Sequence, residues 1–559
     1  MTSPRKKRAQ VPKYVSPNQL VLAGFESPFD KELNPSNRWI VLAHLIPWDE
    51  ICNMYFKFVP KGQTGRPALN PRIVIGSLII KHMCNLDDRE TVDQISENIY
   101  MQYFLGYPSF SNDKPFDASL FVDFRKRLGM ENLNAINEKI VAIKTKIESS
   151  TKPDEPTPDS QKTDEHTNNQ KDTPDEPEHK GRVIYDATAC PQDIAYPTDL
   201  NLLNDAREKL EELIDHIYTK ELHQVKPRTY REVARKKYLQ TAQKKNKSRK
   251  VIRRANRCQL NLVRRDISIV NELLDAYQTN NLKFPFNPSQ QKYFFVVQTL
   301  YAQQKQMFDT STHIVEHRIV SIHQPHVRPI VRGKAQAKVE FGSKIHVSII
   351  DGISFLDELS WDAFNEGSHM LEYVQKYRKR FGCYPREILA DQIYCTRVNR
   401  AALKELGIKL LAKPLGRPSA LSIHVSPGER NPIEGKFGQA KTGYGLNRIK
   451  ARLKGTSESW IASIILVLNL VKLAGVKLLR PIINFYMSFS ARLLKTVVQN
   501  LSYIFRQIEI IKQTDDSRQI LCLSLTADPN YTYRNKILNH KRTQKRHKII
   551  KFQLKRQES

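Results

Sequence analysis

The sequence predicts an α/β fold preceded by an all-α domain, and three observations carry that reading. Residues 61–148 repeat apolar side chains at helical spacing. From RVIYDATAC at Arg182, and again from KVEFGSKIHVSIIDG at Lys338 to IKLLAKPLGR, short β-like runs alternate with helical ones, the pattern of a sheet flanked by helices. Between the first strand and the rest, residues 201–290 read as long helices, a large helical insertion.

Residues 1–60 are mixed in character and are read as an N-terminal extension. In the helical domain, Pro67 and Pro71 sit at starts, and Ile73, Ile75, Leu78, Ile79 and Met83 then repeat at helical spacing. DRETVDQISENIYMQYFLG is read as one second helix with Val92, Ile95, Ile99, Tyr103 and Phe104 on one face. A third begins near Asp117 and carries Arg125, Lys126 and Arg127. Three short helices with basic residues suit a helix-turn-helix DNA reader, and suit a plain structural domain equally well. Residues 149–180 are rich in Pro, Asp, Glu, Thr and Lys and poor in apolar side chains. Such a stretch cannot bury enough surface to offset its ordering entropy, so it is read as an acidic, disordered linker. The sheet domain then runs over 181–477, and 478–559 is a basic C-terminal region.

The charge points to a partner. The 559 residues hold 89 Lys+Arg against 58 Asp+Glu, a formal net charge of +31. A surplus of that size self-repels unless a polyanion neutralises it, which favours nucleic acid over a membrane surface. Lys226 to Arg265 holds sixteen Lys/Arg and one Glu, and Arg534 to Arg556 ten Lys/Arg. Within the first run, Lys244, Lys245, Lys247, Arg249, Lys250, Arg253 and Arg254 are candidate phosphate contacts. The seven Cys form no C-x-x-C pair, which fits reduced thiols in a cytosol rather than a zinc ribbon. No apolar stretch follows the basic N-terminus. The run from Trp460 is interrupted by Ser463, Asn469 and Lys472 and reads as a buried helix rather than a membrane span.

Three carboxylates are candidates for chemistry. Asp186 follows Val183, Ile184 and Tyr185 at the expected end of a strand; Asp391 follows Ile388, Leu389 and Ala390 at a strand-to-helix joint. An acidic residue behind an apolar strand is poorly placed for mere solvation, although a turn or helix cap accounts for either one. Glu434 lies in ERNPIEGKFGQAKTGYGLNRI, where Asn431 reads as an N-cap and Pro432 as the first helical residue. Glu434 is then either a capping-box residue or a ligand sharing a helix face with Lys441, seven residues on. Gly435, Gly438 and Gly443 weaken that helix, and close approach of a nucleic-acid backbone would explain them. Asp193, Asp199, Glu340 and Asp351 are weaker candidates. His323 and His326 are spaced only weakly like ligands, and Trp361 is a core residue or, less simply, a platform for an unstacked base.

The segment around Glu434 resembles the third-carboxylate region of bacterial insertion-sequence transposases of the DDE class, with their signature Tyr-x2-Arg-x3-Glu-x6-Lys. Arg430, Glu434 and Lys441 match in type and spacing, and Pro427 stands where the signature has Tyr. YDATACPQDIAYPTDLNLLNDARE, HVRPIVRGKAQAKVEFGSKIHVSIIDG and ILADQIYCTRVNR resemble the family's catalytic blocks, and RPALNPRIVIGSLIIKHMCNLDDRETVDQISENIYMQYFLG its N-terminal domain. The resemblance implies an RNase H-like mixed five-stranded sheet with helices on both faces, the helical insertion lying between the first two strands. It also implies Asp186, Asp391 and Glu434 as ligands of two Mg²⁺ ions (Mn²⁺ in their place), with Arg430 and Lys441 on phosphates. The implied partner is double-stranded DNA, both terminal inverted repeats and target, bound by a homodimer in the bacterial cytoplasm at the nucleoid. Rival readings are a purely hydrolytic nuclease on the same fold and a catalytically decayed, DNA-binding remnant.

The basic insertion implies a direct measurement. The logarithm of DNA affinity should fall steeply and linearly with the logarithm of salt concentration, with a slope near −0.9 per phosphate neutralised. A flat titration by fluorescence anisotropy would remove nucleic acid as the reason for the charge.

Overall fold

The computed structural model describes residues 32–58, 69–150, 179–331, 339–412 and 427–474. The chain divides into two units, 1–476 and 477–559, and the second lies outside the described residues, as does almost all of the linker.

Six helices come first: α1 (Arg38–Leu45), α2 (Trp48–Phe58), α3 (Pro71–Cys84), α4 (Asp88–Glu97), α5 (Ile99–Leu105) and α6 (Leu120–Ser150). α3 starts as its sequence suggests, with the Asn70 side chain accepting from the Arg72 amide and Pro71 in the first turn. The single helix expected over 88–105 is two. Asn98 is extended (φ −113°, ψ 106°) and its side chain caps α5 by accepting from the Tyr100 and Met101 amides. A side chain that competes for backbone amides can end one helix and start the next without any loss of apolar periodicity. The boundary at residue 61 also moves, because α1 and α2 belong to this layer: Trp39 and Trp48 each pack on Phe104, ring centroids 5.3 and 5.4 Å away.

The sheet follows: β1 (Arg182–Pro191), β2 (Arg328–Val331), β3 (Val339–Ile350), β4 (Ile353–Ser360), β5 (Glu387–Leu389) and β6 (Lys409–Leu411). β1 is central, antiparallel to β3 and parallel to β5, with β6 parallel beyond β5. β3 carries two antiparallel partners on its other edge, β4 and, at its start, the short β2 that the sequence does not announce. The β3–β4 turn is Asp351-Gly352, both at positive φ (51° and 80°), a mirror-image two-residue turn matched to the strand twist. β1 does not end at Asp186 but runs five residues further, paired with β3 as far as Pro191 and Gly342.

Helices α7 (Asp199–Ile217), α8 (Arg231–Ala242), α9 (Arg249–Thr279) and α10 (Pro288–Thr310) separate β1 from β2, so the insertion reaches past 290 to Thr310. It has its own apolar core, with Leu203, Leu210, Ile214, Val263, Val270, Val297 and Leu300 all buried. α11 (Met370–Phe381) covers one face of the sheet; α12 (Arg397–Glu405) joins β5 to β6, and α13 (Asn431–Gly443) and α14 (Lys454–Leu473) follow.

By length and composition α14 could cross a bilayer, yet 83% of its apolar window is buried within the protein. Two of its polar residues reach across to other layers. Ser459 donates to the Arg125 carbonyl of α6 (2.8 Å), while Asn469 exchanges both its amide groups with the backbone of Ser354 on β4 (2.8 and 2.7 Å). The N-terminal helices dock on this helix through buried charge. Arg125 makes a two-pronged pair with Asp88 (3.0 and 2.8 Å), Lys81 joins the same carboxylate at 2.9 Å, and both cations lie over Trp460. Burial pulls the Lys81 pKa down to about 8 even with Asp88 beside it. α3 is buried around nearly its whole circumference, Arg72 and Lys81 included, and so has the character of a packing helix rather than a recognition helix.

Replacing Arg125 by Met should therefore take the two-pronged partner from a partly buried carboxylate and leave it to Lys81. It should lower the unfolding free energy by about 3 kcal/mol. Exposed Lys126→Met should stay within about 0.5 kcal/mol of the parent. Urea denaturation read by tryptophan fluorescence compares the two.

Candidate active site

Two of the three candidate carboxylates are set side by side by strand register. The parallel pairing of β1 with β5 matches Val183 with Ile388 and Ile184 with Leu389. Asp186 and Asp391 each lie two residues beyond the last matched pair, which brings them side by side on neighbouring chains. Alternation puts Tyr185 on the face under α11, where it meets Tyr373 (centroids 6.0 Å), and Asp186 on the opposite face. Asp186 Oδ1 accepts from the Ala187 amide (2.8 Å). Burial raises the Asp186 pKa against the opposing pull of that amide and of Arg430, and the charges of Asp391 and Glu366 push it further up.

Asp391 is extended and caps a 3-10 turn over Gln392–Tyr394, accepting from the Gln392 amide at 2.8 Å. It does not cap α12; Thr396 does, its hydroxyl accepting from the Asn399 backbone amide (3.1 Å). The turn is braced from below. Buried Asn399 donates to the Tyr394 carbonyl (2.9 Å) and to the Gly367 carbonyl (2.7 Å) in a second 3-10 turn, Glu366–His369. A Cβ at Gly367 would collide with the Ile393 carbonyl, so glycine is required for the two turns to touch.

Glu434 sits elsewhere in character. α13 is entered from a 3-10 turn over Pro427–Arg430, and no side chain caps its start. Asn431 is inside the helix, not its cap, so the capping-box role expected as the alternative for Glu434 is not realised. The helix buries Ile433 and Ala440 and leaves Glu434 exposed. A Cβ on Gly435, Gly438 or Gly443 would meet nothing within 4 Å, so packing does not require these glycines. Among the described residues no three His, Cys, Asp or Glu stand together as a metal-binding group.

Between the level pair lies a cation. Arg430 Nη1 is 3.0 Å from Asp391 Oδ1 and Nη2 is 3.5 Å from Asp186 Oδ2. Its neighbour Glu429 is ion-paired to Arg182 at the start of β1, which ties the turn to the sheet and gives Glu429 a structural partner. Glu366, bonded to Lys344 of β3, is close enough to influence Asp186 and was invisible in the sequence, having no periodicity or motif to mark it.

The weaker candidates resolve into structure. His326 packs edge-on against Trp361 (4.3 Å) and burial drops its pKa to about 4; His323 bonds the Tyr293 hydroxyl; Trp361 is buried and donates to Glu458 (2.8 Å). Asp193 pairs with Arg448 and Asp199 with Arg318, while Asp351 forms the hairpin turn. Glu340 lies on β3, paired in register with Ile330 of β2. Lys244, Lys245, Lys247, Arg249, Lys250, Arg253 and Arg254 are all exposed around the start of α9. Arg253 lies over the Phe308 ring at 4.2 Å and bonds the Phe308 carbonyl at 3.1 Å.

A transposase domain model (DUF772) matches residues 27–127, which hold the start of the helical layer, and a transposase DDE domain model matches residues 388–471, from β5 into α14. The second match contains Asp391, Arg430, Glu434 and Lys441. The uncharacterized protein ORF8 in the nfe locus of Rhizobium meliloti is 30% identical over 189 residues, 33% of this chain and 77% of that protein. No solved structure matches. The chain belongs to the DDE transposases of insertion sequences. That family acts on DNA and uses divalent metal ions.

The brace beneath Asp391 can be tested alone. Asn399→Ala leaves two buried carbonyls without their donor, at a cost of about 1–3 kcal/mol. It should also speed hydrogen exchange at the Cys395 amide, which closes the turn onto Gln392. Unchanged exchange there would show that the turn holds itself.

Proposed function

We propose that this transposase cleaves DNA at the ends of its own insertion element and joins those ends to target DNA, with Asp186, Asp391 and Glu434 holding two Mg²⁺ ions. The observation that carries the reading is the level placement of Asp186 and Asp391 on parallel strands, in a chain whose later part matches a transposase DDE domain. The strand order β4-β3-β1-β5-β6, with only β3 reversed, supports an RNase H-like catalytic domain.

The paired aspartates fit the ions in donor chemistry, while Glu434 does not stand with them among the described residues. Carboxylate oxygens are the ligands that hard divalent cations take, and the space between Asp186 and Asp391 already accepts a cationic group. Two such ions, when bound, would supply the charge that activates the attacking oxygen and stabilises the leaving one. The chain's own residues do the rest. The sheet holds two carboxylates rigidly, and α13 carries the third one turn beyond Arg430. Arg430 and Lys441 take phosphate oxygens, and the open glycine positions of α13 let a DNA backbone come close. The exposed cations at the start of α9 follow the duplex away from the cut. The protein works as a homodimer, one copy per element end, in the cytoplasm where the chromosome lies.

Asp391→Asn and Glu434→Gln keep side-chain size and remove the charge a metal needs. Each should lower cleavage of an element-end duplex by several orders of magnitude while binding in a gel-shift assay persists. Full Mg²⁺-dependent cleavage by Glu434→Gln would remove that residue from the site. Binding without cleavage by the unaltered protein would make it a decayed copy.

A further inference from the structure

Arg430 occupies the position between the two carboxylates that a metal ion would need. Two acidic groups level on adjacent strands repel each other, and one of them is largely withdrawn from water. The guanidinium relieves this by touching both, at 3.0 and 3.5 Å. The fit is incomplete, however. Arg430 Nε is buried without a hydrogen-bond partner, so the side chain leaves part of its donor fork unused. A bidentate phosphate would use the fork fully.

We infer that Arg430 is an internal counterion that keeps divalent cations out of the free site and surrenders the carboxylates when a DNA phosphate takes its guanidinium. The inference rests on Asp186 and Asp391 being the metal ligands. A guanidinium and a divalent cation cannot share that position, because each would face the other's charge at contact distance. Arg430 therefore has two exclusive employments. On the carboxylates it opposes metal; on a phosphate it leaves them free. Metal and DNA then raise each other's affinity by one common factor. The Glu429–Arg182 pair holds the backbone of the turn on the sheet, so the exchange needs only side-chain rotation at Arg430. It also clears the ground in front of α13, whose Glu434 starts one helical turn away.

The test is Mn²⁺ binding to the full-length protein, followed by electron paramagnetic resonance of the free ion, without DNA. Arg430→Gln should bind Mn²⁺ roughly tenfold more tightly than the parent, within the range usual for coupling between sites. Arg430→Lys, which keeps the charge, should stay near the parent. In the parent, a 40-base-pair duplex copied from the DNA next to the coding sequence should tighten Mn²⁺ binding by a similar factor, and in Arg430→Gln it should add little. Asp391→Asn reports on the underlying reading. If it weakens Mn²⁺ binding while Arg430→Gln leaves the parental affinity unchanged, the carboxylates are ligands and the counterion role is wrong. If Asp391→Asn has no effect in either background, the ligand assignment fails and this inference with it.

Discussion

The site depends on the register between β1 and β5. The two strands run the same way, pair at Val183–Ile388 and Ile184–Leu389, and each carries an acidic residue two positions further on. β1 can hold that register because it is bonded on both edges, to β3 along its length and to β5 at its start. The face under α11 is packed by Tyr185, Tyr373, Val374 and Ile388, all buried. A slip of one residue in either strand would turn its carboxylate to the wrong face. The placement of the two carboxylates is thus set by backbone pairing and by core packing on the far side of the sheet.

Much of this was legible in the sequence, and for identifiable reasons. α3, α11 and α14 are apolar or amphipathic runs, α3 with a marked start at Asn70-Pro71 and α14 beginning six residues ahead of the apolar run at Trp460, and β3–β4 is marked by Asp351-Gly352 between two apolar stretches. Asp186 and Asp391 could be singled out because an acidic residue directly behind an apolar strand is out of pattern. Polar exchange between backbone and side chain left fainter marks. The break at Asn98, the short β2 and the 3-10 entry to α13 all turn on which local group wins a hydrogen bond, and apolar periodicity does not record that.

Charge was the least legible property. Arg125 and Lys126 are adjacent, and a sequence argument treats them alike. One is buried on Asp88 and Trp460, and the other faces solvent. The positive run at the start of α9 is exposed throughout, whereas Arg265 further along the same helix is drawn onto buried Asp266 and the Thr229 carbonyl. Cations that hold the fold together and cations available to a polyanion differ only in what surrounds them. For the same reason no motif could show that Arg430, matched to a phosphate role by its spacing, stands between two aspartates in the free protein.

α14 has a consequence for inheritance. It is encoded late, yet it seals both the N-terminal helices, through Arg125, Lys81 and Trp460, and the sheet, through Asn469 and Ser354. A copy of the gene interrupted before residue 454 would leave α3, α6 and β4 with bare apolar faces. Truncation ahead of this helix would therefore unseal the helical layer and the sheet together, while the insertion keeps its own core.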